Sequence, residues 1–411
     1  RSLSDRNIQK DDTLTVSKSN AVPSFSASNQ WVDLMFKPKS SSSSNLKLTL
    51  DKDGNPYFVF KNRLSKSFIY TYKNNEWSEL GPQDFSVISA KYQDLIVDKN
   101  DTLYFAYASY GNTGDTNSLI IQKKELGKSW VELGAGQITG TTITHFDLKL
   151  DNNNELYVAY NSPNAEVKKW NGRDWESIGS NISSGAVESP EIVFDSKNDP
   201  YIIYINKSSG SNGLHLKKYY SGAWRFLNLK GLDGLTAHKT EIVLDSDDNL
   251  YTSFIHDLTD TGSGVIKIFR YIDDNDGWQP IGEMPELKAS EDASLFIGSD
   301  DSPYIAFTEQ SDELKGQLYS FKNNQWIYYG QIAPSDELDL EVNQISSFID
   351  NQDTIFIAAT DKAGATNVLK KEYAFFGNYS KTIQEGSASE FLFRNVTVSD
   401  TDLDDVTLSI I

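Results

Sequence analysis

The strongest constraint on the fold of this chain is a four-part run that recurs about every 50 residues. Its first part is a short apolar segment closing on a turn residue. Segments 46–51, 94–98, 146–151, 191–195 and 241–245 end on Asp51, Asp98, Asp151, Asp195 and Asp245, and 293–297 and 345–350 complete seven copies. A few polar residues later comes an apolar-aromatic run carrying Tyr57, Tyr104, Tyr157, Tyr201, Tyr251, Tyr304 and Phe356. A third run mixes Lys with aromatics, as in Leu216-Lys217-Lys218-Tyr219-Tyr220, and a fourth carries Trp77, Trp130, Trp175, Trp224, Trp278 and Trp326. β-Branched and aromatic runs separated by Asn, Asp, Gly and Ser read as strands in hairpins. Turns such as Asp51-Lys52-Asp53-Gly54-Asn55 and Asp245-Ser246-Asp247-Asp248-Asn249 supply residues that tolerate positive φ. Four antiparallel strands per repeat is the pattern of a propeller blade. A β-sandwich would not repeat one four-strand motif seven times.

The two ends of the repeat array complement each other. The seventh copy has three strands (345–350, 355–361 and 367–377) but no Trp run after Phe375-Phe376-Gly377. The unmatched Trp run stands at the other end, at 30–35, and Trp31 precedes Trp77 by one repeat length. Residues 30–35 are therefore expected to supply the outer strand of blade seven, closing the ring and removing a bare sheet edge. Here the chain resembles the seven-bladed β-propellers of secreted bacterial proteins, over roughly residues 29–379. The resemblance implies an all-β fold and an extracellular or cell-surface setting, and says little about activity.

Outside this region the reading is coarser. Residues 1–28 form a polar segment, and Ser40–Ser44 a connector from the closing strand to blade one. Residues 380–411 resemble the opening of a cadherin-like or Ig-like repeat, cut short of the ~100 residues such a sandwich needs. The expectation is a monomeric piece of a longer multidomain protein. The 411 residues carry 38 Lys+Arg against 58 Asp+Glu, a net charge of −20, which excludes a phosphate-neutralising nucleic-acid binder. Cysteine is absent, so disulfides and thiolate-bound metals are excluded. No apolar run approaches the ~20 residues that cross a bilayer as a helix.

Several residue groups invite a functional reading. The repeated Trp side chains could stack on sugars, yet a residue at one place in every blade is expected to be a wedge between sheets, and Trp170 aligns with Tyr72 and Tyr219 on the third strand. The acidic hairpins resemble calcium loops in composition but are explained by turn formation. Asp400, Asp402 and Asp404 are the better calcium candidates, as cadherin-like repeats place ligands between domains. The positions after strand two, Asn62, Ser109, Ser162, Asn206, His256, Glu309 and Asp361, differ from blade to blade. If the hairpins pair without interruption, His256 falls opposite Lys239, beside His238, and His145 opposite Ser162. Together these residues are expected to ring a channel mouth that holds a glycan or a protein segment. No nucleophile elbow, phosphate loop or zinc-protease motif is present, so no catalytic residue is assigned. The leading expectation is a non-catalytic extracellular binding or adhesion module. The alternative is a polysaccharide lyase with its base among His238, Lys239 and His256.

Overall fold

The structure is a computed structural model, and it describes residues 14–15, 31–36, 43–62, 66–81, 90–110, 117–136, 138–140, 143–208, 212–256, 264–282, 288–309, 315–332, 342–361, 365–371, 382–383, 396–400 and 406–410. Trp31–Lys370 form one compact unit. It is a seven-bladed β-propeller of four-stranded antiparallel blades: the first six run in chain order from the centre outward, the second with a short extra strand at Thr139–Gly140, and the seventh takes its outermost strand from the N-terminal side of the chain. Blade one, for example, runs Ser43–Leu50, Pro56–Asn62, Ser67–Lys73 and Glu76–Glu79. Among the remaining described residues, Leu14–Thr15 pairs with Thr382–Ile383, and Val396–Asp400 with Val406–Ile410. Asp400 ends that last hairpin's first strand; Asp402 and Asp404 lie outside the described residues.

Ring closure follows the expectation. Val32–Asp33 pairs antiparallel with Thr366–Lys371, placing Val32 opposite Lys370 and Asp33 opposite Leu369, and Leu34 N donates to Val368 O at 2.9 Å. Phe36, just beyond the closing strand, packs edge-on to Phe58, Phe60, Tyr70 and Trp77 with centroids 5.0–5.8 Å apart. The core lies in the seams: each apolar cluster joins neighbouring blades, as where Leu34, Phe36 and Phe356 of blade seven meet Phe58 and Phe60 of blade one.

The Trp run is the seam's latch. Each indole reaches back to a carbonyl of the preceding blade: Trp77 Nε1 to Leu34 O (2.8 Å), Trp130 to Leu80 O (3.2 Å), Trp175 to Leu133 O (3.1 Å), Trp224 to Ile178 O (2.7 Å) and Trp326 to Ile281 O (2.7 Å). The acceptor sits three residues after the preceding blade's own Trp. Trp31 completes the circle by donating to Gln331 O at 2.8 Å. The Gly of the Trp-x-x-Leu/Ile-Gly run is the bed for the next indole: a Cβ on Gly179 would stand 2.8 Å from Trp224 Cδ1. Blade four has Asn228 in place of that Gly, and Trp278 Nε1, buried in the next blade, has no acceptor among the described residues.

The hairpin turns lock the opposite face. Asp51 Oδ1 accepts the backbone N–H of Asp53 (3.0 Å) and Asn55 (2.9 Å), and Asp98, Asp151, Asp195, Asp245 and Asp350 repeat this geometry. These carboxylates are thus employed as turn acceptors. Neighbouring turns are laced together, with Ser196 bonding Asp248, Ser246 bonding Asp301 and Ser299 bonding Asp353 through both N–H and hydroxyl at 2.6–2.8 Å.

Candidate functional site

The innermost strands enclose a central cavity of about 880 Å³. A strand presents alternate residues to one face, so each blade offers the channel the residues two, four and six positions before its turn. The deepest layer, nearest the turns, is largely apolar, with Ile96, Val193, Val243, Phe296 and Phe348 joined by Thr49 and Lys149. The middle layer is Lys47, Asp94, Asp147, Glu191, Glu241, Ser294 and Ser346. The mouth layer is Asn45, Tyr92, His145, Ser189, Lys239, Asp292 and Gln344. No residue type repeats around the mouth, whereas the Trp latches and turns repeat in nearly every blade.

The polar middle layer has a structural origin. The innermost strand of each blade is a sheet edge whose outward N–H groups face the channel with no partner strand, and such groups need an acceptor. Side chains of the preceding blade supply it. Asp94 Oδ2 accepts from Leu148 N (2.8 Å), Asp147 Oδ2 from Ile192 N (2.9 Å) and Glu191 Oε2 from Ile242 N (3.1 Å). Asp292 Oδ2 accepts from Ile345 N (2.6 Å), and Ser346 Oγ from Leu48 N (2.9 Å). Between blades one and two the middle-layer residue is Lys47, which cannot accept; there Gln93 of blade two reaches back instead, its Nε2 donating to Asn45 O at 2.5 Å and its Oε1 accepting from Ser67 Oγ at 2.7 Å. Glu241 breaks the girdle: its carboxylate accepts no hydrogen bond from a described residue. There the seam is closed by a Lys239–Asp292 ion pair and by strand pairing of Gly264 with Ala289, which joins blades five and six into one sheet.

Charge in the channel is partly paired. Lys47 lies 3.7 Å from Asp94 and Lys149 3.5 Å from Asp147. Asp94 lifts the Lys47 ammonium well above the usual lysine range. Burial pushes Lys239 down. Burial pushes the carboxyls of Asp147, Glu191 and Glu241 up, Glu191 furthest, since Glu241 and Asp147 add like charge beside it. At the mouth the rings of Tyr92 and His145 stand 5.0 Å apart, and burial, with Glu188 nearby, raises the Tyr92 phenol.

Of the residues singled out from sequence, the structure brings His145, His238 and Lys239 into the cavity lining. The strand-two positions stand one strand further out and are not among that lining. Asn62 is buried and caps its own hairpin, accepting from Lys66 N at 3.0 Å. Asn206 meets His215 Nε2 at 3.3 Å, and Glu309 accepts from Gln317 Nε2 at 2.6 Å. His256 Nδ1 stands 2.9 Å from Thr236 O. Asp361 ends the second strand of blade seven, opposite Val342. The pairing register also differs from expectation. His238 sits opposite Ile255, and a β-bulge carries Lys239, at φ 42°, out of the ladder. His145 N donates to Asn161 Oδ1 at 2.9 Å, and Asn161 N to His145 O, so Asn161 and not Ser162 is its neighbour.

The middle-layer residues were missed by the search of strand ends. Their signal was present in the sequence: a polar column (Lys47, Asp94, Asp147, Glu191, Glu241) inside otherwise apolar innermost strands. Among the described residues no group of three or more His, Asp or Glu is placed to hold a metal ion, and no helix is long and apolar enough to cross a membrane.

No protein-family model and no curated protein sequence matches the chain. Solved structures share its fold. The BP39L lectin from Burkholderia pseudomallei superposes with a TM-score of 0.59 at 11% identity, covering 84% of this chain and 99% of the lectin. An ulvan lyase of polysaccharide-lyase family PL25 superposes at 0.56 and 12% identity, covering 86% of this chain and 97% of the lyase. A PL25 ulvan lyase bound to -[GlcA(1-4)Rha3S]- gives 0.54 at 12%, covering 90% and 98%. At these identities the likeness is one of fold: this chain is a seven-bladed β-propeller built like a lectin and like polysaccharide lyases.

Proposed function

We propose that the protein binds a carbohydrate outside the cell, without turning it over, at the mouth of the central channel. The observation that carries this reading is the contrast between the two ends of the channel. The turn end is laced by a repeated motif, whereas the mouth presents seven different side chains around one large cavity. A specific pocket requires such a break in symmetry. Aromatic, amide, hydroxyl and charged groups at the mouth suit a polyhydroxylated ligand, and the propellers of similar fold include a lectin and enzymes named for polysaccharides. A glycan array with the whole chain, followed by titration of hits against Tyr92→Ala, tests it. The expected result is at least about tenfold weaker binding, roughly 1.4 kcal/mol, with an unchanged melting temperature and no product. An array without a hit, or turnover of any polysaccharide, overturns the reading.

The alternative, a lyase near His238 and His256, is favoured by one arrangement: His238, Lys239, Tyr92 and His145 all line one cavity. Against it, His256 is engaged with Thr236 outside that lining, and burial raises Tyr92 away from the phenolate a base would use. The acidic wall also opposes a uronate substrate.

A further inference from the structure

Most of the channel's acids have structural employment. Asp94, Asp147 and Glu191 accept edge N–H groups of the next blade, and Asp292 holds both Ile345 N and Lys239. Three lysines line the channel, and each is within ion-pair distance of an aspartate. What remains is Glu241. It faces the cavity from the middle layer, its counterparts in blades two, three and four are latches, and the blade it should latch is joined to its own by other means. Relieved of that work, it leaves a carboxylate directed at the ligand space. Beside it Glu191, which takes one backbone N–H, has no cation within ion-pair distance among the described residues. The three layers of the channel thus hold five carboxyls (Asp94, Asp147, Glu191, Glu241 and Asp292) against three lysines, which act on Glu241 only from beyond ion-pair distance.

Building on the carbohydrate-binding reading, we infer that Glu241 is the contact for a protonated amino group of the ligand, so that the channel takes a glycan bearing free hexosamine residues. A cavity wall of surplus carboxylate repels uronates and sulfated sugars and is satisfied by an ammonium, which donates to a carboxylate in a charge-assisted hydrogen bond. A divalent cation would need several ligands converging at one point, and no such group occurs among the described residues. An organic cation with one charged group fits a single free carboxylate flanked by a second.

The test is calorimetric titration of the full chain at pH 7, where the raised carboxyls keep more of their charge than in acid, with glucosamine oligomers, with N-acetylglucosamine oligomers of equal length, with oligogalacturonate and with a short lysine peptide. Glu241→Gln is compared with Glu241→Ser, the residue that blades six and seven carry at that position. Because the Glu241 carboxylate accepts no backbone N–H among the described residues, both variants should melt with the parent chain. Glucosamine oligomers should bind at least about tenfold more tightly than the acetylated ones, as expected for a desolvated charge-assisted contact, and both variants should abolish that preference while leaving the weaker binding intact. Equal affinity for the two oligomers, or a preference that survives both substitutions, overturns the inference while leaving the carbohydrate reading standing. Binding of no glycan at all removes both. Glu241-dependent binding of the lysine peptide as tight as that of the glucosamine oligomer overturns the assignment to a glycan.

Discussion

At the scale of single residues, the indole N–H is where sequence repeat becomes ring. Six of the seven in-register tryptophans donate to the blade before them, and the seventh, Trp278, is buried with no acceptor for its Nε1 among the described residues. The contrast makes a controlled experiment. Replacing Trp175 by Phe removes a donor and leaves the buried Leu133 carbonyl without it, whereas Trp278→Phe removes a polar group with no acceptor among the described residues. Stranding a partner costs about 1–3 kcal/mol, and removing an already stranded group can be neutral. Both substitutions lose similar ring area, so the difference between them isolates the hydrogen bond. Urea unfolding should find Trp175→Phe less stable than Trp278→Phe by that amount; equal losses would mean that the indoles act as wedges only.

At the scale of the element, the glycine after each Trp run is fixed by what the next blade sets on it. Gly179 (φ 69°) and Gly222 (φ 79°) have similar backbone conformations. A Cβ at Gly222 would meet nothing within 4 Å, but one at Gly179 would meet Trp224 Cδ1 at 2.8 Å and Tyr219 Cε2 at 2.9 Å. Both alanine substitutions carry the left-handed backbone penalty of about 1–2 kcal/mol. Gly179→Ala adds overpacking of about 1–3 kcal/mol, so its thermal midpoint should fall further than that of Gly222→Ala. The element scale also shows what was legible in advance. Strand number, blade number and the Trp–Gly spacing follow from apolar period and turn chemistry, which are local properties. The bulge at Lys239 was not legible, because one extra polar residue before a strand looks like any loop residue, yet it shifts the pairing and turns Lys239 towards Asp292. The channel girdle was hidden for a different reason. Whether Asp147 solvates itself, binds a ligand or accepts Ile192 N depends on which strand edge faces it, and that is known only once the blades are arranged in a ring.

At the scale of the whole molecule, closure without a covalent link puts the stability of 340 residues on a short N-terminal segment. Residues 31–36 contribute two ladder positions, one further backbone bond, an indole bond to blade six and the carbonyl that receives Trp77. They also bury Trp31, Leu34 and Phe36, each under 8% exposed. Burying one large apolar side chain is worth about 1.5–3 kcal/mol, so three amount to a large fraction of the ~5–15 kcal/mol that holds a typical domain folded. Removing residues 1–38 takes all of this away at once, and it strips the third strand of blade seven of its outer neighbour, exposing the N–H and C=O groups around Val368 and Lys370. A bare edge of this kind pairs with another chain or frays. The truncated chain should therefore melt lower than the full chain, and sedimentation should show it associating. A synthetic peptide spanning 29–38, added in excess, should restore part of the lost stability by occupying the vacated edge, since a ligand that binds only the folded state stabilises it by mass action. A truncated chain that stays monomeric and melts with the parent would show that the ring is held by its six covalently continuous seams, with the closing strand an ornament on the seventh.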